Sequence, residues 1–170
     1  MIARPLASLL VTLLVTLGLA GGAQAQVFWG TAGNNCAAVD SGIKDNLASV
    51  EHASDNIDLI TLNCPVTRFE TPISNWNLSV TYRDSTGPTA SAFIRVRLFR
   101  MEIGAVTPVM LGQFNSNDFN PTGSTTRSSP NFLHLFDFSV NNYWVRVDMN
   151  RSATNEIVIF HSVVLAGELM

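Results

Sequence analysis

The feature that most constrains this chain is a period-two alternation of apolar and polar side chains, repeated in short runs that Gly, Pro, Asn, Asp and Ser punctuate. In Trp76-Asn77-Leu78-Ser79-Val80-Thr81-Tyr82-Arg83 the large apolar residues occupy every second position. A strand turns successive side chains to opposite faces, so this run predicts a half-buried strand with Trp76, Leu78, Val80 and Tyr82 inward. Phe93 to Phe99 sets Ile94, Val96 and Leu98 against Phe93, Arg95, Arg97 and Phe99. Tyr143 to Met149 sets Val145, Val147 and Met149 against Trp144, Arg146 and Asp148.

Further strands are expected at Leu47 to Ala53, Leu59 to Cys64, Pro108 to Phe114, Phe132 to Val140 and Ile157 to Leu165. The last is apolar on both faces and therefore belongs in the middle of a sheet. A helical turn is expected only around Asp40 to Leu47, and Asn115 to Asn131 reads as a long structureless loop. About eight strands without βαβ alternation predict an all-β fold: an antiparallel β-sandwich, jelly-roll or Ig-like.

The first 25 residues read as an export signal. Arg4 gives a charged start, Leu6 to Leu19 an apolar run, and Ala23-Gln24-Ala25 an A-x-A cleavage site before Gln26. The run is short for a spanning helix, and no cysteine ends it for acylation. The expected organisation is a cleaved leader, 1–25, and one sandwich domain, 26–170, secreted or periplasmic, with no stable membrane insertion. About 145 residues suffice to bury a core. Removing Arg4 leaves nine basic against thirteen acidic residues, which offers no electrostatic case for nucleic acid.

Cys36 and Cys64 are the two cysteines. In an exported chain such a pair is most simply one disulfide, and its spacing is far from C-x-x-C.

Two parts of the chain resemble small exported bacterial β-sandwich proteins of unknown function. Ser54 to Arg68, with its Asn63-Cys64-Pro65 end, looks like their disulfide-bearing hairpin. Tyr143-Trp144-Val145-Arg146-Val147, followed by Arg151-Ser152 and an apolar strand, is similar to their final hairpin. The resemblance covers about a third of the chain. It implies a sandwich and export and transfers no activity.

No catalytic, metal or cofactor motif stands out, and no cofactor is expected. His134 shares a face with Phe132, Phe136 and Phe138, and His161 lies with Ile159 and Val163, so both read as packed residues. His52, flanked by Glu51 and Asp55, reads as solvated. There is no G-x-S-x-G elbow. Glu70, Asp84, Glu102, Asp137 and Asp148 can furnish a glycosidase pair only through tertiary structure. Asn115, Asn117, Asp118 and Asn120 offer oxygen ligands without the order of a calcium loop.

The most informative constellation is Arg95, Arg97, Trp144, Arg146 and Asp148, on the outward faces of two strands. Brought together they form an aromatic platform flanked by guanidiniums and a carboxylate, suited to stack on a sugar ring and hydrogen-bond its hydroxyls. The bland reading is a solvated face with cross-strand ion pairs. The expectation is an exported, non-enzymatic protein that binds carbohydrate or cell-envelope polymer. Rival classes are an assembly subunit pairing through edge strands and a small secreted hydrolase with clustered carboxylates or a histidine of shifted pKa.

Overall fold

The computed structural model describes residues 25–40, 42–70, 73–89, 91–120 and 123–168; the predicted leader, Ala25 apart, lies outside the described residues. These fold into two antiparallel sheets. The strands are β1 (Ala25–Ala32), β2 (Ala37–Ala38), β3 (Ile43–Asn46), β4 (Ser49–His52), β5 (Ile60–Pro65), β6 (Asn75–Asp84), β7 (Phe93–Glu102), β8 (Val109–Asn115), β9 (Thr125–Ser128), β10 (Phe132–Leu133), β11 (Asn141–Asn150) and β12 (Val158–Glu168). One sheet runs β10-β6-β12-β4-β3, with β1 beside β12 and β9 beside β6, and the other runs β2-β5-β11-β7-β8. The all-β sandwich is as expected. Twelve strands replace about eight because β1, β2, β3 and β9 pair through backbone groups without a clear apolar alternation.

The alternating runs supply the core. Trp76, Leu78, Val80 and Tyr82 of β6 face Ile94, Val96 and Leu98 of β7 and Val145, Val147 and Met149 of β11, all buried. Strand β12 is central, with β6 on one side and β1 and β4 on the other. A bulge between Phe160 and Ser162 shifts its register, so Phe160 and Val163 both point inward although three positions separate them. This corrects the expected face of His161: it leaves the face of Val163, is half-buried, and lies 3.1 Å from the Ser124 hydroxyl through Nε2.

Three other expectations are corrected. The described residues between Asp40 and Leu47 hold no helical turn; β3 and β4 form a tight hairpin, Asn46 opposite Ser49, closed through Leu47 at φ 54°. A two-residue hairpin turn normally places Gly or Asn at such a position, so exposed Leu47 gives no turn signal. Phe132 to Val140 is a strand only at Phe132–Leu133. Beyond it Phe132, His134, Phe136 and Phe138 keep facing in, but the backbone lacks a ladder: the His134 amide donates to Ser74 O and the Asp137 amide to the Tyr143 hydroxyl. The loop from Asn115 is also more ordered than expected. A 3-10 turn spans Ser116–Asp118, and β9 pairs with β6 while its side chains stay largely exposed.

Buried Ser116 ties this loop to both sheets. Its hydroxyl accepts from the Ile94 amide at 2.9 Å and donates to Asp84 Oδ2 at 2.6 Å. Gly112 of β8 permits another closure, since a Cβ there would lie 2.6 Å from two ring carbons of Phe132. One end of the sandwich is sealed by Phe28, Phe69, Trp76, Phe136, Phe138 and Tyr143, with ring centroids 4.7 to 6.1 Å apart between contacting pairs.

Cys36 and Cys64 form the expected disulfide, anchoring the segment before β2 to the C-terminal end of β5. It closes a loop of sequence separation 28. Replacing both cysteines by serine is expected to lower the unfolding free energy by about 3.5 kcal/mol in the chain-entropy account. Urea denaturation at equilibrium checks this, with reduced wild type as the control; an unchanged midpoint in both sinks it.

Candidate functional site

The outward face of the five-stranded sheet carries the constellation expected from sequence. Strands β7 and β11 pair without a break over ten residues, setting Trp144 opposite Phe99, Arg146 opposite Arg97 and Asp148 opposite Arg95. On its other edge β11 pairs with β5, which puts Pro65, Asn63 and Thr61 beside the same three residues. Strand β8 adds Gln113 beside Arg97 and Asn115 beside Arg95. The face is therefore built in rows: an aromatic row, a guanidinium and amide row, and a row holding the carboxylate.

Asp148 anchors it. Its Oδ1 accepts from Arg146 Nε at 2.8 Å and from Thr61 Oγ1 at 3.1 Å, and its Oδ2 accepts from Arg97 Nη2. The Asp148 side chain is 5% exposed, against 22% for Arg97 and 41% for Arg146. An outward-facing carboxylate is thus covered by the two guanidiniums it holds. Arg146 Nη2 also reaches Thr61 Oγ1 at 3.5 Å.

Trp144 is half-buried and stacks on Phe99, centroids 5.5 Å apart at 20°. The Arg97 guanidinium lies 5.7 Å from the Phe99 centroid, so the rings and the charged row meet. Arg95 sits 4.9 Å over the Phe93 ring. Among the described residues the buried Nε groups of Arg95 and Arg97 find no acceptor. Beyond Arg146 an open groove of about 620 Å³ is lined by Val39, Asp40, Asp58, Leu59, Thr61 and Asn63. Asp40 Oδ2 there accepts the Thr61 amide at 3.0 Å.

Arg95, Arg97, Trp144, Arg146 and Asp148, expected on the outward faces of two strands, all lie on this one face because those strands are neighbours. Sequence reasoning missed Thr61 and Asn63 as members, although the alternation of β5, with Leu62 and Cys64 buried, carried that signal.

The other chemistry-bearing residues lie elsewhere. Asp84 is buried and accepts from Ser116, from the Thr86 amide and hydroxyl, and from the Gly87 amide. Glu70 is exposed, 3.4 Å from Arg68. Exposed Asp137 accepts the Ser139 hydroxyl and amide, which hold its carboxyl below the usual range. His134 Nε2 lies 3.1 Å from the Tyr143 hydroxyl, and burial lowers its pKa, with Arg100 adding to the effect.

His52 is a correction. Expected in solvent, it is 5% exposed, with Nε2 3.0 Å from Asp58 O and Nδ1 buried without a partner among the described residues. The alternation of β4, with Val50 and His52 inward, accounts for it. Burial lowers the His52 pKa against the opposing hydrogen bond to Asp58, and Arg151 lowers it further.

No family model matches the chain, and no curated protein matches it. Among solved structures it is similar to a Stig cyclase from Fischerella sp. TAU, at 11% identity and a TM-score of 0.44, covering 90% of this chain and 93% of that one. That protein is an enzyme, so the expectation of a non-enzymatic protein is corrected: the comparison sets a cyclase beside this chain and gives no ground for excluding catalysis. At this identity and TM-score it transfers no activity.

Two outcomes follow from the geometry. Asp148→Ala leaves Arg97 and Arg146 without their carboxylate and is expected to cost about 2 kcal/mol, less than a fully buried pair because both arginines retain some solvent. Arg146→Ala, at the more exposed partner, costs about 1 kcal/mol or less; chemical denaturation ranks the two, and equal losses contradict the anchoring role. His52 and His134, held neutral by burial, bind fewer protons folded than unfolded once pH falls below the ordinary histidine value of 6.5. Their stabilising contribution is complete above that value and is lost as pH falls from it toward their lowered folded values. The melting temperature of wild type is expected to drop between pH ~7 and ~5, and the drop to shrink in His52→Gln/His134→Gln. Identical pH profiles for the two proteins contradict it.

Proposed function

We propose that the protein is an exported β-sandwich that binds carbohydrate or cell-envelope polymer across the outer face of its five-stranded sheet. The observation that carries this reading is the β7–β11 register, which lines up Trp144 with Phe99 beside Arg97, Arg146 and Asp148. Aromatic rings cover the apolar face of a sugar, and fixed guanidiniums donate to its hydroxyls. The Asp148 anchor holds two of the guanidiniums in place, which reduces the entropy lost on binding. The Cys36–Cys64 disulfide, with no membrane-spanning helix among the described residues, is compatible with export.

A second reading, an assembly subunit, is favoured by β8. This strand borders its sheet and exposes Val109 and Met110, with Val106 92% exposed in the turn before it. An apolar edge of that kind pairs readily with another chain.

The test is a tryptophan fluorescence titration with a panel of envelope and plant polysaccharides. Trp29 and Trp76 are buried, so Trp144 is the tryptophan placed to respond. A saturable change in wild type that Trp144→Phe abolishes supports the binding face. Silence across the panel, with self-association in sedimentation that Met110→Lys reverses, removes the binding face in favour of the assembly subunit.

A further inference from the structure

We infer that the ligand of this face is an acidic saccharide whose carboxylate seats at Arg95. The inference rests on the proposed binding face and narrows it from polysaccharides in general to uronate-bearing ones.

The argument is one of charge and unmet donors. The chain carries a formal charge of −3, yet the centre of this face holds Arg95, Arg97 and Arg146 against the single carboxylate of Asp148. That carboxylate is engaged by Arg97, Arg146 and Thr61. Arg95 lies directly opposite Asp148 in register but makes no ion pair among the described residues, and its guanidinium rests on the Phe93 ring. Its Nε is buried without an acceptor. A half-buried cation without an ion-pair partner among the described residues, beside a carboxylate already engaged by two other guanidiniums, favours an anion as its partner, because charge partly removed from water and left unpaired is costly.

The planar fork of arginine matches a carboxylate with two parallel hydrogen bonds. A neutral hydroxyl accepts from it only singly. Asp40 and Asp58 lie on the far side of Arg146, in the groove lined by β5, so they repel an anion there and steer it toward Arg95. The aromatic row at Trp144 and Phe99 then takes a neighbouring ring of the same polymer.

The experiment is calorimetric titration of wild type, Arg95→Gln and Arg95→Lys with hexagalacturonate, neutral cellohexaose and a sulfated carrageenan hexamer, at low and at raised salt. Wild type is expected to bind hexagalacturonate about tenfold more tightly than cellohexaose, a preference that salt weakens. In Arg95→Gln the ratio between the two falls toward one, and Arg95→Lys, a point charge without the fork, restores part of it. Equal affinities in wild type, with Trp144→Phe still abolishing binding, overturn the carboxylate seat and leave the sugar face standing. A preference that survives Arg95→Gln places the anion elsewhere and overturns the seat as well. Tighter binding of the carrageenan than of the galacturonate overturns the carboxylate assignment in favour of sulfate. Binding of none of the three overturns the seat and the sugar face together.

Discussion

Strands β7 and β11 pair over ten consecutive residues, and that register carries both the core and the candidate site. Ile94, Val96 and Leu98 meet Met149, Val147 and Val145 on the inner side. Arg95, Arg97 and Phe99 meet Asp148, Arg146 and Trp144 on the outer. Because side chains alternate with a period of two, a one-residue slip would bring charged side chains into the interior and aliphatic ones to the surface. Burial of the apolar set, about 25 cal/mol for each Å² removed from water, therefore fixes the position of the polar set. Changes in the core are felt at the surface through this pairing, and the outer side chains inherit the rigidity of the sheet. Antiparallel pairing on both edges of β11, with β5 and β7, leaves it no freedom to shift.

The arginines divide by what they hold. Arg151 is buried, and its guanidinium donates to the carbonyls of Ala53, Ser54, Asn56, Thr154 and Glu156. It ties the turn after β4 to the turn before β12 and spends its donors on backbone that lacks a strand partner. Arg97 and Arg146 spend theirs on Asp148, at the surface of a sheet and within reach of solvent. Arg95 has no such partner among the described residues. The three cases use one side chain for loop closure, for holding a face, and for leaving donors free. Only the last two have consequences for a ligand.

The sequence made the two-sheet fold, its disulfide and the membership of the outer face legible wherever alternation was strict. Trp76 to Tyr82, Phe93 to Phe99 and Tyr143 to Met149 were of that kind. Legibility failed where backbone pairing and side-chain pattern part company. Strand β9 pairs with β6 while its Thr and Arg side chains lie at the surface, so no alternation marks it. The segment from His134 to Phe138 shows the reverse, alternating side chains on a backbone without a ladder, because its amides bond to Ser74 and Tyr143. The bulge in β12 moved His161 off its expected face, and a register shift of that kind leaves no mark in composition. At His52 the neighbouring Glu51 and Asp55 point to water, whereas its place on β4 buries it. The engagement of Asp148, and the lack of an acceptor at Arg95, depend on neighbours far apart in the chain and so had no local signature.

The shape of the face bears on the size of the ligand we propose for it. A site for a small molecule encloses most of its ligand's surface in a concave pocket. Here the aromatic and guanidinium rows lie across adjacent strands of an open sheet, and the groove beside Arg146 is an open one. A lone monosaccharide on such a surface would keep much of its hydration and make few contacts, too few to offset the freedom it loses. A polymer loses that freedom once and gains a contact at each row, and a chain laid over a sheet passes successive units over Trp144 and the arginines. The multivalency of a repeating ligand thus compensates for the shallowness of each subsite. For that reason such an open, partly charged face suits the polysaccharide we propose better than a soluble sugar.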